Sequence, residues 1–397
     1  MNRNDYPILD NLIYLDSAAT ALKPKCVVDK INDYYLKYPS NIHRGEYDIA
    51  EIAEKEYNKA RNIVASFLNA NEDEIVFTSG TTDSLNMVIN GYYKNILHKG
   101  DEVLITQAEH ASLILPWFNL ANEIGINIRF IKLDDNYHVI LDNLLNEIND
   151  NTKVISIAQI TNVIGDVRPI KKITRIAHEK GIEVLIDGAQ SVPHMEVDVK
   201  DLDIDFLSFS AHKMGGPTGV GVLYGKKELL DKLNPTRLGG GMNVSFNNKD
   251  EIILKELPLK LEAGTPNIEG VIGLGETIRY IDNIGINNIY NHECELKEYF
   301  INKVKDIDYI HVINNISDSG IIAFTIDGIF SQDVGYYLNK NNICVRTGNH
   351  CAKLLKNEIG VDQTIRISLY LYNTKEDIDR LVDLLSDKDI IIKEMLV

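Results

Sequence analysis

The chain has 397 residues, 44% of them hydrophobic and 25% charged, with 41 Lys and Arg against 58 Asp and Glu for a formal net charge of −17. That length predicts two domains on separate cores, and the composition excludes disordered, collagenous and disulfide-framework proteins. The excess of acid argues against nucleic acid as a partner, because a polyanion is repelled over most of such a surface.

The N-terminus, MNRNDYPILDNLIYLD, has no basic start followed by an unbroken apolar stretch. No apolar run approaches the ~18–20 residues that cross a bilayer, so neither secretion nor membrane insertion is expected. Cys26, Cys294, Cys344 and Cys351 are scattered, with no CxxC pair. They read as reduced thiols of a cytoplasmic protein rather than as zinc ligands or disulfides.

From Glu74 to about Tyr224, short β-branched runs alternate with helical patterns: EIVFTS, DEVLIT, NIRFIKL, KVISIAQ, EVLID, FLSFS and GVGVLYG. Runs this apolar suit strands covered on both faces, the habit of parallel sheets with crossover helices, and predict an α/β doubly wound core. Between them, TTDSLNMVINGYYKNILHK and IKKITRIAHEKG carry helical spacing. After about residue 280 come a helix (NHECELKEYFINKVKD), strands (GIIAFTI, ICVRT, TIRISLYL) and a last helix (KEDIDRLVDLLSD), which predict a smaller α+β domain.

Three motifs sit at successive strand ends. Ser79-Gly80-Thr81-Thr82 opens a helix, Asp187 ends VLID, and Ser210-Ala211-His212-Lys213 ends another strand. Taken alone, these are an N-cap, a turn and a surface lysine. Together they face one crevice, because ligands bind at the carboxyl ends of the strands in an open α/β sheet. They supply what a pyridoxal phosphate enzyme requires. Gly80, Thr81 and Thr82 offer amides and hydroxyls for a phosphate, Asp187 a carboxylate for the pyridine nitrogen, and Lys213 an amine of lowered pKa.

The sequence resembles the cysteine desulfurases of the class-V aminotransferase family, specifically the Suf-type group. The resemblance runs from YLDSAAT (14–20) through NIHRG (41–45), FTSGTTDSLN (77–86), AEHASLILPW (108–117), VLIDGAQ (184–190) and SFSAHKMGGPTGVGVLYG (208–225). It continues through GGGM (239–242), EAGTPN (262–267) and VRTGNHCA (345–352) to IRISLYLYNT (365–374). It implies a fold-type I enzyme that works as a homodimer, with a large cofactor domain over 16–280. Residues 1–15 and 281–397 would form a small domain carrying the catalytic-cysteine loop. The implied reaction takes sulfur from L-cysteine, leaving L-alanine and an enzyme persulfide for a sulfur-acceptor protein or iron–sulfur scaffold.

By the same resemblance, Lys213 is the Schiff-base lysine, Asp187 the pyridine-nitrogen partner and Gln190 the hydrogen bond to the ring phenolate. Thr81, Ser210 and His212 hold the phosphate. His110 stacks on the ring and assists proton transfer, and Asn162 lies beside the cofactor. Thr265 reaches the phosphate of the neighbouring subunit. Cys351 accepts the sulfur, and Arg366 pairs with the substrate carboxylate. Arg346, His43 and Arg44 line the same mouth. Read from the residues themselves, Cys344 is a buried inert thiol on its strand, and Cys351, after Gly348 and beside His350, is a thiol in a turn that can move and whose surroundings can supply thiolate. Asn349, Ala111 and Gly215 depart from the family pattern. A selenocysteine lyase or cysteine sulfinate desulfinase would use the same scaffold, and a sulfur-transfer module with a vestigial site is the non-enzymatic alternative.

Overall fold

The strand runs assemble into one seven-stranded sheet. In chain order they are β1 (Ile75–Thr78), β2 (Glu102–Ile105), β3 (Asn127–Phe130), β4 (Thr152–Ala158), β5 (Glu183–Asp187), β6 (Phe206–Ser210) and β7 (Gly221–Gly225). This computed structural model describes residues 3–43, 45–246, 252–315 and 318–395, so Arg44 lies outside the described residues. Across the sheet the order is β1-β7-β6-β5-β4-β2-β3. β7 runs antiparallel to both its neighbours, and the other pairs are parallel.

Alternate residues of these strands feed opposite cores, which is why the runs read as continuously apolar. On one face, Val184, Ile186, Leu207 and Phe209 pack with Tyr57 and Val64 of α2 (Asp48–Phe67), Ile173 of α5 (Ile170–His178) and Ile278 of α6 (Ile268–Ile284). On the other, Leu185, Phe206 and Leu223 meet Leu85 of α3 (Thr81–Val88) and Trp117 of α4 (Ala111–Ile124). α1 (Lys25–Lys37) joins the first of these cores through Tyr34. The run expected as one helix from Thr81 instead closes α3 at Val88 and continues as a π-helical turn, Ile89–Tyr93.

A second sheet, wholly antiparallel, holds β8 (Ile310–Val312), β9 (Ile321–Ile326), β10 (Arg346–Gly348) and β11 (Thr364–Ser368) in the order β8-β9-β11-β10. Its core is separate: Phe324, Ile365 and Ile367 pack with Leu296 and Phe300 of α7 (Ile286–Val304) and Leu381 of α8 (Lys375–Leu385). The sequence run ICVRT is not one strand. Ile343–Cys344 pairs in parallel with Ile13–Tyr14, whereas Arg346–Gly348 pairs with β11. The N-terminal segment is thereby strapped onto the second sheet, and Cys344, expected as buried, is half-buried. Among the described residues, no helix is long and apolar enough to cross a membrane.

Candidate active site

The carboxyl ends of β4, β5 and β6, the start of α3 and the turn after β10 surround one crevice of about 210 Å³. Thr81, Thr82, Asp187, Ser210, His212 and Lys213 line its floor. His110 and Asn162 line one side; Arg346, Cys351 and Arg366 come from the second sheet and its turn. Most of the residues singled out in the sequence therefore meet in space.

The floor is built by close backbone approach. Thr81 donates its amide to Ser210 Oγ at 2.8 Å, and the two hydroxyls are 2.7 Å apart. A Cβ on Gly221 of β7 would lie 2.4 Å from the Gly80 backbone, so only glycine lets the strand come this close. Thr82 Oγ1 pairs with Ser112 Oγ at 2.7 Å, tying α3 to α4. A cluster of hydroxyls thus crowds the N-terminus of α3, where an anion is stabilised by free amides and the helix dipole.

Asp187 is buried, and Oδ1 accepts the Ala189 amide at 2.9 Å. Burial pushes its carboxyl up, while the Lys213 charge and that amide pull it back. Lys213 is brought down to about 8 by desolvation, against the opposing attraction of Asp187. His110 caps α4, its Nδ1 accepting the Ser112 amide at 3.1 Å, and burial beside Lys213 lowers it to about 4. Burial likewise lowers His212 to about 4 and His350 to about 3, so all three rings are neutral at pH 7.

Cys351 is exposed and follows His350 in a turn where both residues are left-handed, at φ 61 and 50. Non-glycine residues pay for that conformation. Four hydrogen bonds hold the turn. The His350 carbonyl accepts Asn162 Nδ2 at 2.7 Å, His350 Nε2 meets Thr364 Oγ1 at 2.9 Å, the Ala111 amide donates to the Cys351 carbonyl at 2.8 Å, and Ala352 closes on Asn349 at 2.8 Å. These bonds tie the turn to β11, to the start of α4 and to the loop after β4. Gly215, another departure position, is also left-handed (φ 89).

Four of the sequence candidates do not line the crevice. Gly80 lies behind its floor, and Gln190, buried, gives Nε2 to the Ala18 carbonyl at 2.8 Å while keeping a second N–H. Thr265 lines a neighbouring cavity with Ser79, Gly219 and Arg237. His43 meets Glu54 at 3.2 Å, and Asn41 beside it reaches Thr265 at 3.4 Å. Sequence reasoning missed Ala18, Ala19 and Ser112 on the crevice wall, and had His350 only as the neighbour of Cys351 in VRTGNHCA. It also missed Asp16, which binds Arg366 Nη2 at 2.9 Å. All but Ser112 and His350 sit in YLDSAAT, a motif noted without a role.

The donor set suits pyridoxal phosphate: hydroxyls at a helix start, a buried carboxylate and an amine with no hydrogen-bond partner among the described residues. Asn162 Oδ1, Gln190 Oε1 and Arg366 Nε are buried polar atoms without partners around the same space. Comparison with known proteins agrees, since the class-V aminotransferase profile matches residues 13–381. The chain belongs to the cysteine desulfurase family of the class-V aminotransferases. It is 42% identical to a probable cysteine desulfurase of Halalkalibacterium halodurans over 95% of this chain and 94% of the relative. To a cysteine desulfurase of Haloferax volcanii it is 39% identical, over 94% and 88%. The apo cysteine desulfurase of Thermococcus onnurineus superimposes with a TM-score of 0.94 at 36% identity, over 98% of this chain and 97% of that one. An Escherichia coli cysteine desulfurase gives 0.91 at 36% identity, over 98% and 97%. The family is dependent on pyridoxal phosphate.

Proposed function

We propose that this crevice takes sulfur from L-cysteine, with pyridoxal phosphate carried on Lys213 and the sulfur passed to Cys351. The observation that carries it is the meeting of a lysine brought to about 8, a buried Asp187 and an exposed Cys351 around one cavity. The reaction balances as L-cysteine plus enzyme thiol giving L-alanine plus enzyme persulfide. The sulfur–carbon bond breaks, a sulfur–sulfur bond forms, and the substrate carbon gains the proton.

The cofactor, when bound, supplies an electron sink that makes the carbon–sulfur bond breakable. Thr81, Thr82, Ser210 and His212 hold its phosphate, and Asp187 keeps its ring nitrogen protonated. Gln190 offers its spare N–H to the ring oxygen. Asn162 lies alongside. Lys213 and the neutral His110 move protons at the substrate carbon, and Arg366 and Arg346 receive the substrate carboxylate. Cys351 meets the substrate sulfur from the crevice mouth.

The proposal extends to a homodimer in which Thr265 and His43 serve the partner's crevice. In support, Tyr47, Ile49 and Ile52 expose apolar surface just beyond His43. We also divide the chain into domains at 16–280 and at 1–15 with 281–397: the second sheet has a core of its own, while Tyr6, Leu9, Ile289 and Tyr370 of the smaller part pack into the core of the first. The sulfur would leave for an acceptor protein or iron–sulfur scaffold in the cytoplasm, where Cys351 stays reduced. The test is to give the cofactor-loaded protein L-cysteine and measure alanine together with the mass of each cysteine peptide. One added sulfur on the Cys351 peptide, stoichiometric with the first alanine, is expected. Alanine without sulfur on that peptide would overturn the role of Cys351.

A further inference from the structure

Arg346 and Arg366 are directly opposite each other on β10 and β11. Like charges so placed destabilise a sheet. Asp16 lies against both, with Oδ1 2.9 Å from Arg366 Nη2 and Oδ2 3.7 Å from Arg346 Nη1. Its place is set by backbone rather than by its own side chain. The Ser368 amide donates to the Leu15 carbonyl at 2.8 Å, Leu15 donates to the Cys344 carbonyl at 2.9 Å, and Asp16 bridges Ser368 in parallel. The N-terminal strap thus delivers a carboxylate to the back of the crevice.

The Arg366 side chain is 2% exposed. Nη1 donates to the Asn162 carbonyl at 2.8 Å and Nη2 to Asp16, while Nε has no partner. A buried guanidinium N–H without an acceptor is costly, so the site is complete only when something accepts from it. The charges agree: two guanidiniums and one carboxylate leave one positive charge, which matches one substrate carboxylate.

We infer that Asp16 is a positioning residue: it cancels one of the two guanidinium charges and holds Arg366 turned so that the N–H groups not taken by Asp16 and Asn162 are left for the carboxylate of the bound amino acid. Asp16 does not itself line the crevice, so it acts through Arg366. The inference rests on reading the crevice as an amino-acid site. It predicts selectivity for ligands that carry a carboxylate, not binding in general.

The test uses the cofactor-loaded protein and reads the change in cofactor absorbance on binding, with L-alanine as one probe and ethylamine, the same molecule without its carboxylate, as the other. In Asp16→Asn the dissociation constant for L-alanine should rise about tenfold or more, the worth of a charge-assisted hydrogen bond. That for ethylamine should stay as in the wild type. Asp16→Glu, which keeps the charge and shifts it by one methylene, should fall between the two and stands in should the Asn variant not fold. Unchanged or tighter L-alanine binding would overturn the inference, as would equal weakening of both probes, the mark of a general loosening. A wild-type protein with no cofactor band, or one that binds both probes alike, would overturn the amino-acid reading itself and this inference with it.

Discussion

Two nucleophiles face the same crevice and are held in opposite ways. Lys213 follows β6, a strand buried along its whole length, through one short helical turn. Cys351 sits on an exposed turn with two consecutive left-handed residues, each costing roughly 1–2 kcal/mol, and is kept there by bonds to residues distant in sequence. The difference matches the work proposed for each group. An amine that anchors a cofactor gains from a fixed, desolvated position. A thiol that takes sulfur inward and hands it outward needs solvent on one side and an alternative backbone state within a few kcal/mol.

Removing each nucleophile should separate the two roles most sharply. Lys213→Ala is expected to lower alanine formation by at least about 10³-fold and to remove the lysine-bound cofactor band. Cys351→Ser should cut alanine formation comparably while leaving that band, and its response to L-cysteine, in place. Measuring both absorbance and alanine in each variant checks the pair, and loss of the band in Cys351→Ser would break the contrast. Asp187→Asn belongs with the strand-end group. It should reduce turnover by about 10²–10³-fold, because an amide cannot hold the ring nitrogen protonated. A change within about twofold would dismiss that role.

The strand-end half of the site was legible in the sequence because regular structure places it. Apolar runs located the strands, and the topology of open sheets then brought Thr81, Asp187 and Lys213 to one side. The other half was only named by resemblance. Nothing local shows that Thr364 and Asn162 pin the Cys351 turn, or that Asp16 crosses from the N-terminus to Arg366, since such contacts depend on how two sheets dock. The ICVRT run misled for a related reason. Its β-branched composition is right for a strand, but Val345 marks a change of partner that propensity cannot register.

The amine's environment offers a test that needs no turnover. Only the neutral amine captures the cofactor aldehyde, and desolvation brings Lys213 to about 8. Capture by the cofactor-free protein should therefore rise about tenfold per pH unit below 8 and level off above it. A surface lysine would keep gaining toward 10.4. The three crevice histidines, at about 3 to 4, are neutral across this range and add no second step. Capture rates followed by absorbance from pH 6 to 10 decide it, and a plateau beyond about 9.5 would mean that the burial of Lys213 does not set its reactivity.

The smallest expected effect probes the turn itself. Thr364→Val keeps the shape and backbone pairing of β11 but takes away the hydroxyl that meets His350 Nε2 at 2.9 Å, leaving the buried ring with Nδ1 unpartnered and only the backbone of residue 364 to meet it. Losing that bond costs about 1–3 kcal/mol of the restraint that holds two left-handed residues in place. The turn should then populate other backbone states, so that Cys351 meets the substrate sulfur less often, while the strand-end cradle, which shares no atom with Thr364, is untouched. The outcome is a drop of about three- to tenfold in alanine formation with an unchanged rate of the first absorbance change on adding L-cysteine. Equal slowing of both steps would show that the turn and the cradle are one unit, and that the contrast between the two nucleophiles is one of position only.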